Sequence, residues 1–323
     1  MTGTVFSFEF SVFRKSKPVF RLKTENSPLS MKFDSSSEEP LILSRDGARP
    51  RMDESTFLRL RDLIYQSSGL HFDSRSQSTL ERRLRPRVQA LHLGSFEQYY
   101  LYLQFDRDRR EELQRALDAV AVHETYFFRE GRALAAFSQE MLQEIFERNR
   151  DQRILRIWSA GCSTGEEAYT LAILILESGL FDDWKIELSA SDLSQRVITL
   201  ARAGRYRQNS FRTMDEERRA RYFTEQPDGS WLIDERLRVM VNFGCFNLAE
   251  SRRYNIYSEL DVIFCRNVML YFDAAARRRT VTGFHQQLRQ GGYLILGASE
   301  SLVTLNVPFR LAHMQNDLVY QKQ

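Results

Sequence analysis

The sequence predicts an α/β protein: a Rossmann-like, doubly wound parallel sheet, preceded by a small all-helical domain and interrupted by a small inserted antiparallel β-subdomain. Three observations predict it. Short apolar runs alternate with helical stretches from residue 154 to residue 299, the pattern of a parallel sheet. The chain then ends on "FRLAH" and "DLVYQKQ", joined only by "MQN", and so short a link requires antiparallel pairing. Ahead of both, residues 52–122 carry apolar residues at helical spacing.

In chain order, residues 1–51 lack a sustained period, include "SSSEEP" and "RDGARP", and read as a disordered tail with Met31 and Met52 as alternative starts. A helix opens in "MDESTFLRLRDLIYQSSGL", capped by acidic and hydroxyl residues and stopped by Gly69. Helices over 75–92, 95–106 and 108–122 follow; the first concentrates Arg82, Arg83, Arg85 and Arg87 and is expected to bend at Pro86. "HETYFFRE" (123–130) leads into the α/β part, 123–323. Its strands are expected at 154–161, 184–191, 239–246, 260–267 and 291–299, its helices at 165–178, 194–203 and 273–289. Residues 207–238 form the insertion, with "RYF" and "GSWLIDERLRV" as short strands. Five parallel strands finished by an antiparallel hairpin follow the plan of the class I methyltransferases, an analogy of fold that leaves the chemistry open.

Composition narrows the classes. A formal net charge of +3 makes the molecule no polycation, so any basic patch is local. Cys162, Cys245 and Cys265 form no CxxC pair and no metal-like spacing, which points to a reducing cytoplasm. No apolar run approaches the ~20 residues that span a bilayer, and the N-terminus has the wrong charge order for a signal peptide.

The turn "AGCSTGEEAYTLA" (160–172) follows a strand and opens a helix. Such turns usually cradle phosphate at the positive helix end. Here Glu166 and Glu167 occupy that end and would repel phosphate, so a cationic ligand is expected. The nucleotide-triphosphate loop needs a lysine where Glu166 stands, and the GxGxxG fingerprint is absent. S-adenosylmethionine fits, with no phosphate and with sulfonium and ammonium charges. Asp192, at the end of the next strand, stands where a ribose-binding acid belongs. Against this, the two glutamates could simply complement the helix dipole.

"ETYFFRE", "SAGCSTGEEAYTLA", "SASDLS" and "IFCRNVMLYF" together resemble the chemotaxis receptor methyltransferases, the CheR family, from about Met52 to the C-terminus. The resemblance implies transfer of a methyl group from S-adenosylmethionine to glutamate side chains on the cytoplasmic helical bundle of chemoreceptors. It assigns cofactor contacts to Thr125, Arg129, Glu167 (with Glu166 beside it), Asp192, Asn247, Leu248, Cys265, Arg266 and Asn267, and a place near the reaction centre to Tyr271. His123 stands where many members have asparagine, and is included among the cofactor contacts. A monomeric cytoplasmic enzyme that neither inserts in membranes nor acts on nucleic acid is expected.

The chemistry needs little machinery. A carboxylate nucleophile is ionised near neutral pH and needs no general base, so alignment should supply most of the rate. Arg129 and Arg266 are suited to hold carboxylates, one the cofactor's and one the substrate's, with Tyr271 donating to either. Arg82, Arg83, Arg85 and Arg87 read as a docking surface for acidic helices or as a solvated face. Amino-methylating nucleic-acid enzymes carry [DNS]PP[YF] after the fourth strand, where this chain has "CRNVMLYF". A non-catalytic cofactor-binding scaffold is the other rival. Some members capture a receptor tail as an added strand on the insertion. The compact "PDGS" turn here predicts an enzyme that works without that tether.

Overall fold

The computed structural model describes residues 50–250 and 257–323. The expected tail, apart from its last two residues, and Met31 lie outside the described residues.

The helical part comprises α1 (Glu54–Ser68), α2 (Gln77–Ala90), α3 (Phe96–Phe105) and α4 (Arg109–Val120). Asp53 caps α1 by accepting the Thr56 amide, and Gly69 ends it at φ 74°. Phe57, Leu60, Ile64, Leu80, Leu84, Val88, Tyr99 and Leu117 form one buried cluster. Helix α2 continues through Pro86.

Residues 131–149, where the periodicity reading assigns no element, form α5 (Gly131–Ala136) and α6 (Leu142–Asn149), joined by a π-helical turn. The π turn keeps Leu134, Phe137, Met141 and Ile145 all buried in the main core.

Then come β1 (Ile154–Ala160), α7 (Glu166–Ser178), β2 (Lys185–Asp192) and α8 (Gln195–Ala203). Beyond them lie β3 (Arg205–Tyr206), α9 (Glu216–Tyr222), β4 (Phe223–Glu225), β5 (Trp231–Ile233), α10 (Glu235–Met240) and β6 (Val241–Cys245). The chain ends with β7 (Leu260–Cys265), α11 (Ala274–Gln287), β8 (Leu288–Leu296), β9 (Phe309–His313) and β10 (Leu318–Lys322). The main sheet runs β6-β2-β1-β7-β8-β10-β9. Its first five strands are parallel and β10 pairs antiparallel with both neighbours. This is the class I methyltransferase arrangement.

The insertion needs correcting in detail. A second sheet, β3-β5-β4, does form, and it starts at Arg205. "DERLRVM" is helix, however, not strand: Asp234 accepts the Arg236 amide and caps α10. Arg221 and Tyr222 close α9, so only Phe223 of "RYF" is in a strand. All three cysteines are free. Among the described residues no helix is long and apolar enough to cross a membrane.

Candidate active site

The carboxyl ends of β1, β2, β6 and β7 open onto a cleft, where ligands bind in open parallel sheets. The linker 121–129, the glycine turn and the end of α1 complete its walls. Of the residues expected there, His123, Thr125, Arg129, Glu167, Asp192, Asn247, Leu248, Arg266, Asn267 and Tyr271 line it. Cys265 does not; it is fully buried in β7, where burial pushes its thiol well up.

The glycine turn is built for close approach. Gly161 sits at φ 90°, and a Cβ there would lie 2.3 Å from Val268 Cγ2. The Gly161 and Cys162 amides donate to the Ser191 carbonyl at 2.7 and 2.9 Å, fastening β1's end to β2's. The two glutamates then part company. Glu166 faces the insertion, accepting from Thr164 Oγ1 (2.6 Å) and Ser210 Oγ (2.9 Å), and stays out of the cleft. Glu167 faces inward, held by Ser159 Oγ (2.7 Å) and Arg266 Nη1 (3.3 Å). Burial pushes its carboxyl up, against the pull of Arg266.

Arg266, expected to hold a carboxylate of the cofactor or of the substrate, already has two carboxylates of its own chain. Nη1 meets Glu167, and Nη2 meets Glu130 (3.2 Å) and the Arg129 carbonyl, while Nε has no partner among the described residues. Glu130, unassigned by the sequence reading, also accepts from Asn267 Nδ2 (3.1 Å) and the Ala298 amide (3.1 Å), locking the linker to two sheet loops. Arg129 is the freer cation. Its Nη1 donates to the Glu124 carbonyl (2.5 Å), but among the described residues its nearest carboxylate oxygen, on Glu130, is 3.9 Å away, and it lies over the Tyr126 ring at 5.6 Å. Phe127, by contrast, is core, packed on Tyr206, Phe211 and Phe223.

Asp192 accepts the Ser163 amide (2.9 Å) and the Ser194 amide (3.0 Å), leaving lone pairs toward the cleft. Burial raises its carboxyl. Burial likewise lowers the His123 imidazole, whose Nε2 has no protein partner, as is true of Ser163 Oγ. Buried polar atoms left open beside a cleft are what a polar ligand would satisfy. Phe128, Glu130, Ser163 and Asn267 all hold positive φ around this site, a concentration of backbone strain usual where function is housed. The cleft's charged lining is three acids, Glu124, Glu167 and Asp192, against Arg129 and Arg266. That net negative charge suits a ligand with one net positive charge. Ser68 and Leu70 of the helical part also line the cleft, a contribution no local pattern announces.

The four arginines of α2 separate. Arg87 clamps the buried Glu112 through Nε (2.9 Å) and Nη2 (2.6 Å), a structural pair that Tyr99 joins. Arg83 bonds the Val120 carbonyl and Arg85 pairs with Glu81. Arg82 is exposed and makes no ion pair among the described residues. Of the four arginines expected on a docking face, Arg82 is the exposed one and Arg87 is committed to Glu112.

Two family models cover nearly all the described chain: the all-alpha domain of CheR methyltransferases matches residues 55–121 and their SAM binding domain matches 123–318. The chain is similar to chemotaxis protein methyltransferase 2 of Vibrio cholerae, 34% identical over 270 residues, 83% of this chain and 93% of that one. It is 35% identical over 254 residues to chemotaxis protein methyltransferase 2 of Pseudomonas aeruginosa, covering 76% and 86%. With the chemotaxis protein methyltransferase of Borreliella burgdorferi it shares 29% over 248 residues, covering 76% and 87%.

Proposed function

This chain belongs to the CheR methyltransferase family, and we propose that it is a protein-glutamate O-methyltransferase. Its substrates would be glutamate side chains on the cytoplasmic helical bundle of a chemoreceptor, converted to methyl esters in chemosensory adaptation. When bound, S-adenosylmethionine supplies an electrophilic methyl group on a sulfonium.

The chain's own residues bind and aim. Asp192 would accept from the ribose hydroxyls, and Leu248 and Phe246 would supply an apolar wall for the base. Glu167, kept fixed by Arg266, would offer a carboxylate to the cofactor's cationic groups. Arg129, not Arg266, is left to take a carboxylate in a forked, charge-assisted contact. Tyr271, 37% exposed at the cleft, can donate to the incoming glutamate. No side chain has to remove a proton, because the attacking carboxylate is already ionised. The observation that carries this reading is Arg129, which holds no carboxylate closer than 3.9 Å among the described residues, beside an acid-rich cleft. The test is methyl transfer from labelled cofactor to chemoreceptor-rich membranes, followed by alkali. Release of the label as methanol identifies glutamate methyl esters; label that is alkali-stable, or that appears on nucleic acid, overturns the reading.

The insertion supports a tether-free mode. β4 and β5 join through a tight turn in which the Gln226 amide bonds the Ser230 carbonyl at 2.8 Å, without a longer loop to seat a peptide. Deleting the receptor's last several residues should leave the methylation rate unchanged; a large fall overturns the tether-free reading.

A further inference from the structure

The end of α1 does more than finish a helix. After Gly69 the chain lies along the segment that follows the short 3-10 turn Met269–Tyr271. Leu70 bridges Phe272 in antiparallel fashion, and the His71 amide donates to the Tyr271 carbonyl at 2.8 Å. Tyr65, one turn back on α1, donates its hydroxyl to Asp273 Oδ2 at 2.9 Å. The other oxygen of Asp273 caps α11 by accepting the Ala276 amide at 2.7 Å. Space is tight: a Cβ on Gly69 would lie 3.1 Å from that of Ala249 and 3.8 Å from the Phe272 ring. The same stretch reaches the other wall of the cleft, where Asn247 Nδ2 donates to the Ser67 carbonyl at 2.7 Å.

Within the α/β part, the Met269–Tyr271 turn is tied at its start by Arg277 Nε on the Met269 carbonyl (2.8 Å). Its far side, next to Tyr271, is tied by α1's end. The Tyr271 side chain, 37% exposed at the cleft, is only partly held by its surroundings. Its aim is therefore inherited from the backbone beneath it, and a misplacement of about 1 Å can cost on the order of 100-fold in rate.

We infer that Tyr65 is a positioning residue for methyl transfer: through Asp273 and the Leu70–Phe272 bridge it fixes the backbone that aims Tyr271. This rests on Tyr271 meeting the accepting glutamate, as proposed above. The helical domain is then a part of the active site and not a docking module alone.

The test removes one oxygen. Tyr65→Phe keeps the ring and its packing. It should lower kcat on chemoreceptor membranes about tenfold, with KM for the cofactor and calorimetric affinity for its demethylated product each within twofold of wild type. Hydrogen exchange across residues 269–273 should quicken in the same variant, a readout that needs no receptor. The double variant Tyr65→Phe/Tyr271→Phe should be no slower than Tyr271→Phe alone, because a positioning residue has nothing left to aim. Losses that multiply in the double variant, or a wild-type kcat in Tyr65→Phe beside a slowed Tyr271→Phe, overturn the inference alone. An unchanged rate in Tyr271→Phe removes Tyr271 from the reaction and overturns the inference together with its premise.

Discussion

At the amino end of β7, Asp261 receives hydrogen bonds from Arg148 (2.8 Å), Asn149 (2.9 Å), the Arg156 amide (2.9 Å) and Arg289 (3.2 Å). At its carboxyl end Arg266 stands between Glu130 and Glu167. Each group centres on a buried charge, Asp261 in one and Arg266 in the other, and both mix arginine with carboxylate. The first is closed: a single anion is enclosed by donors and faces no cleft. The second is open: two anions share one cation, Arg266 Nε finds no partner, and the whole lies against the cleft. The same strand thus carries a fastening at one end and a receptor for charge at the other. An unbalanced group at the carboxyl end is the one to read as a site.

Cutting the closed end should give the largest effect. Asp261→Ala strips Arg148 and Arg289 of their shared acid and should destabilise the fold by about 3 kcal/mol or more. Urea unfolding would measure it, and an unshifted midpoint would contradict the contrast. Cofactor affinity in any folded fraction should stay within twofold.

Asp192→Ala should do the reverse. Losing charge-assisted bonds to two hydroxyls should weaken S-adenosylmethionine binding by about 100-fold. Water can reach the freed Ser163 and Ser194 amides through the cleft, so stability should fall little. Calorimetry showing unaltered affinity would remove the cofactor assignment.

Arg266→Met tests how open the second group is. Without the cation, burial of Glu167, whose carboxyl already lies above its ordinary value of 4.5, is opposed only by the Ser159 hydrogen bond and the weaker pull of Arg129. A carboxyl raised in the fold binds its proton more readily there, so its contribution to stability is full below 4.5 and is lost as pH rises through the folded value. The variant should therefore be destabilised at pH 7 by roughly 2 kcal/mol, and recover toward pH 5. Arg266→Met/Glu167→Gln should flatten that recovery.

His123 provides a smaller effect. Burial is the main cause of its depressed imidazole value; Arg196 adds to it, and Asp192 and Asp118 oppose it. The neutral form is favoured in the fold, so the associated stability is present above 6.5 and is lost as pH falls through the lowered value. Protonation also brings a positive charge to the cofactor's cleft. Affinity for S-adenosylmethionine should fall a few-fold as pH drops through that lowered value, and His123→Asn should abolish the dependence; identical pH profiles would show that His123 does not titrate there.

The smallest effect belongs to Arg82. Reversing it to glutamate should raise KM for receptor about twofold to threefold at low salt and less at high salt, where screening already weakens the encounter. Arg87→Glu, placing a second anion on Glu112, should cost stability instead. A reversal at Arg82 without kinetic effect would leave that residue a solvated charge.

What the sequence made legible follows from distance along the chain. The alternation of strands and helices, the glycine turn and Asp192 at a strand end are local patterns, and the structure contains each. "WLIDERLRVM" misleads because Leu237 and Val239 alternate like strand residues; the Asp234 cap turns the backbone, burying Leu237 and leaving Val239 74% exposed. Residues 131–149 did carry a signal, in apolar positions 134, 137, 141 and 145. Other features had none. Arg87 resembles its neighbours until α4 brings Glu112 beneath it, and Glu130 resembles a solvated linker acid until Arg266 arrives from β7. Pairing at such separations is a property of the fold, not of any window of sequence.

Glu130 also sets a timetable. Its carboxylate joins the linker to Asn267, 137 residues onward, and to the amide of Ala298, 168 residues onward. During synthesis, at about 5–20 residues per second, the helical part and β1 emerge well before either partner exists. Until the segment beyond β7 leaves the ribosome, Glu130 and Glu167 lack their shared Arg266, and until the loop beyond β8 follows, Glu130 lacks the Ala298 amide. The pocket is completed only when nearly the whole chain has been made, so a prematurely terminated product could fold its helices and still hold no methyl donor.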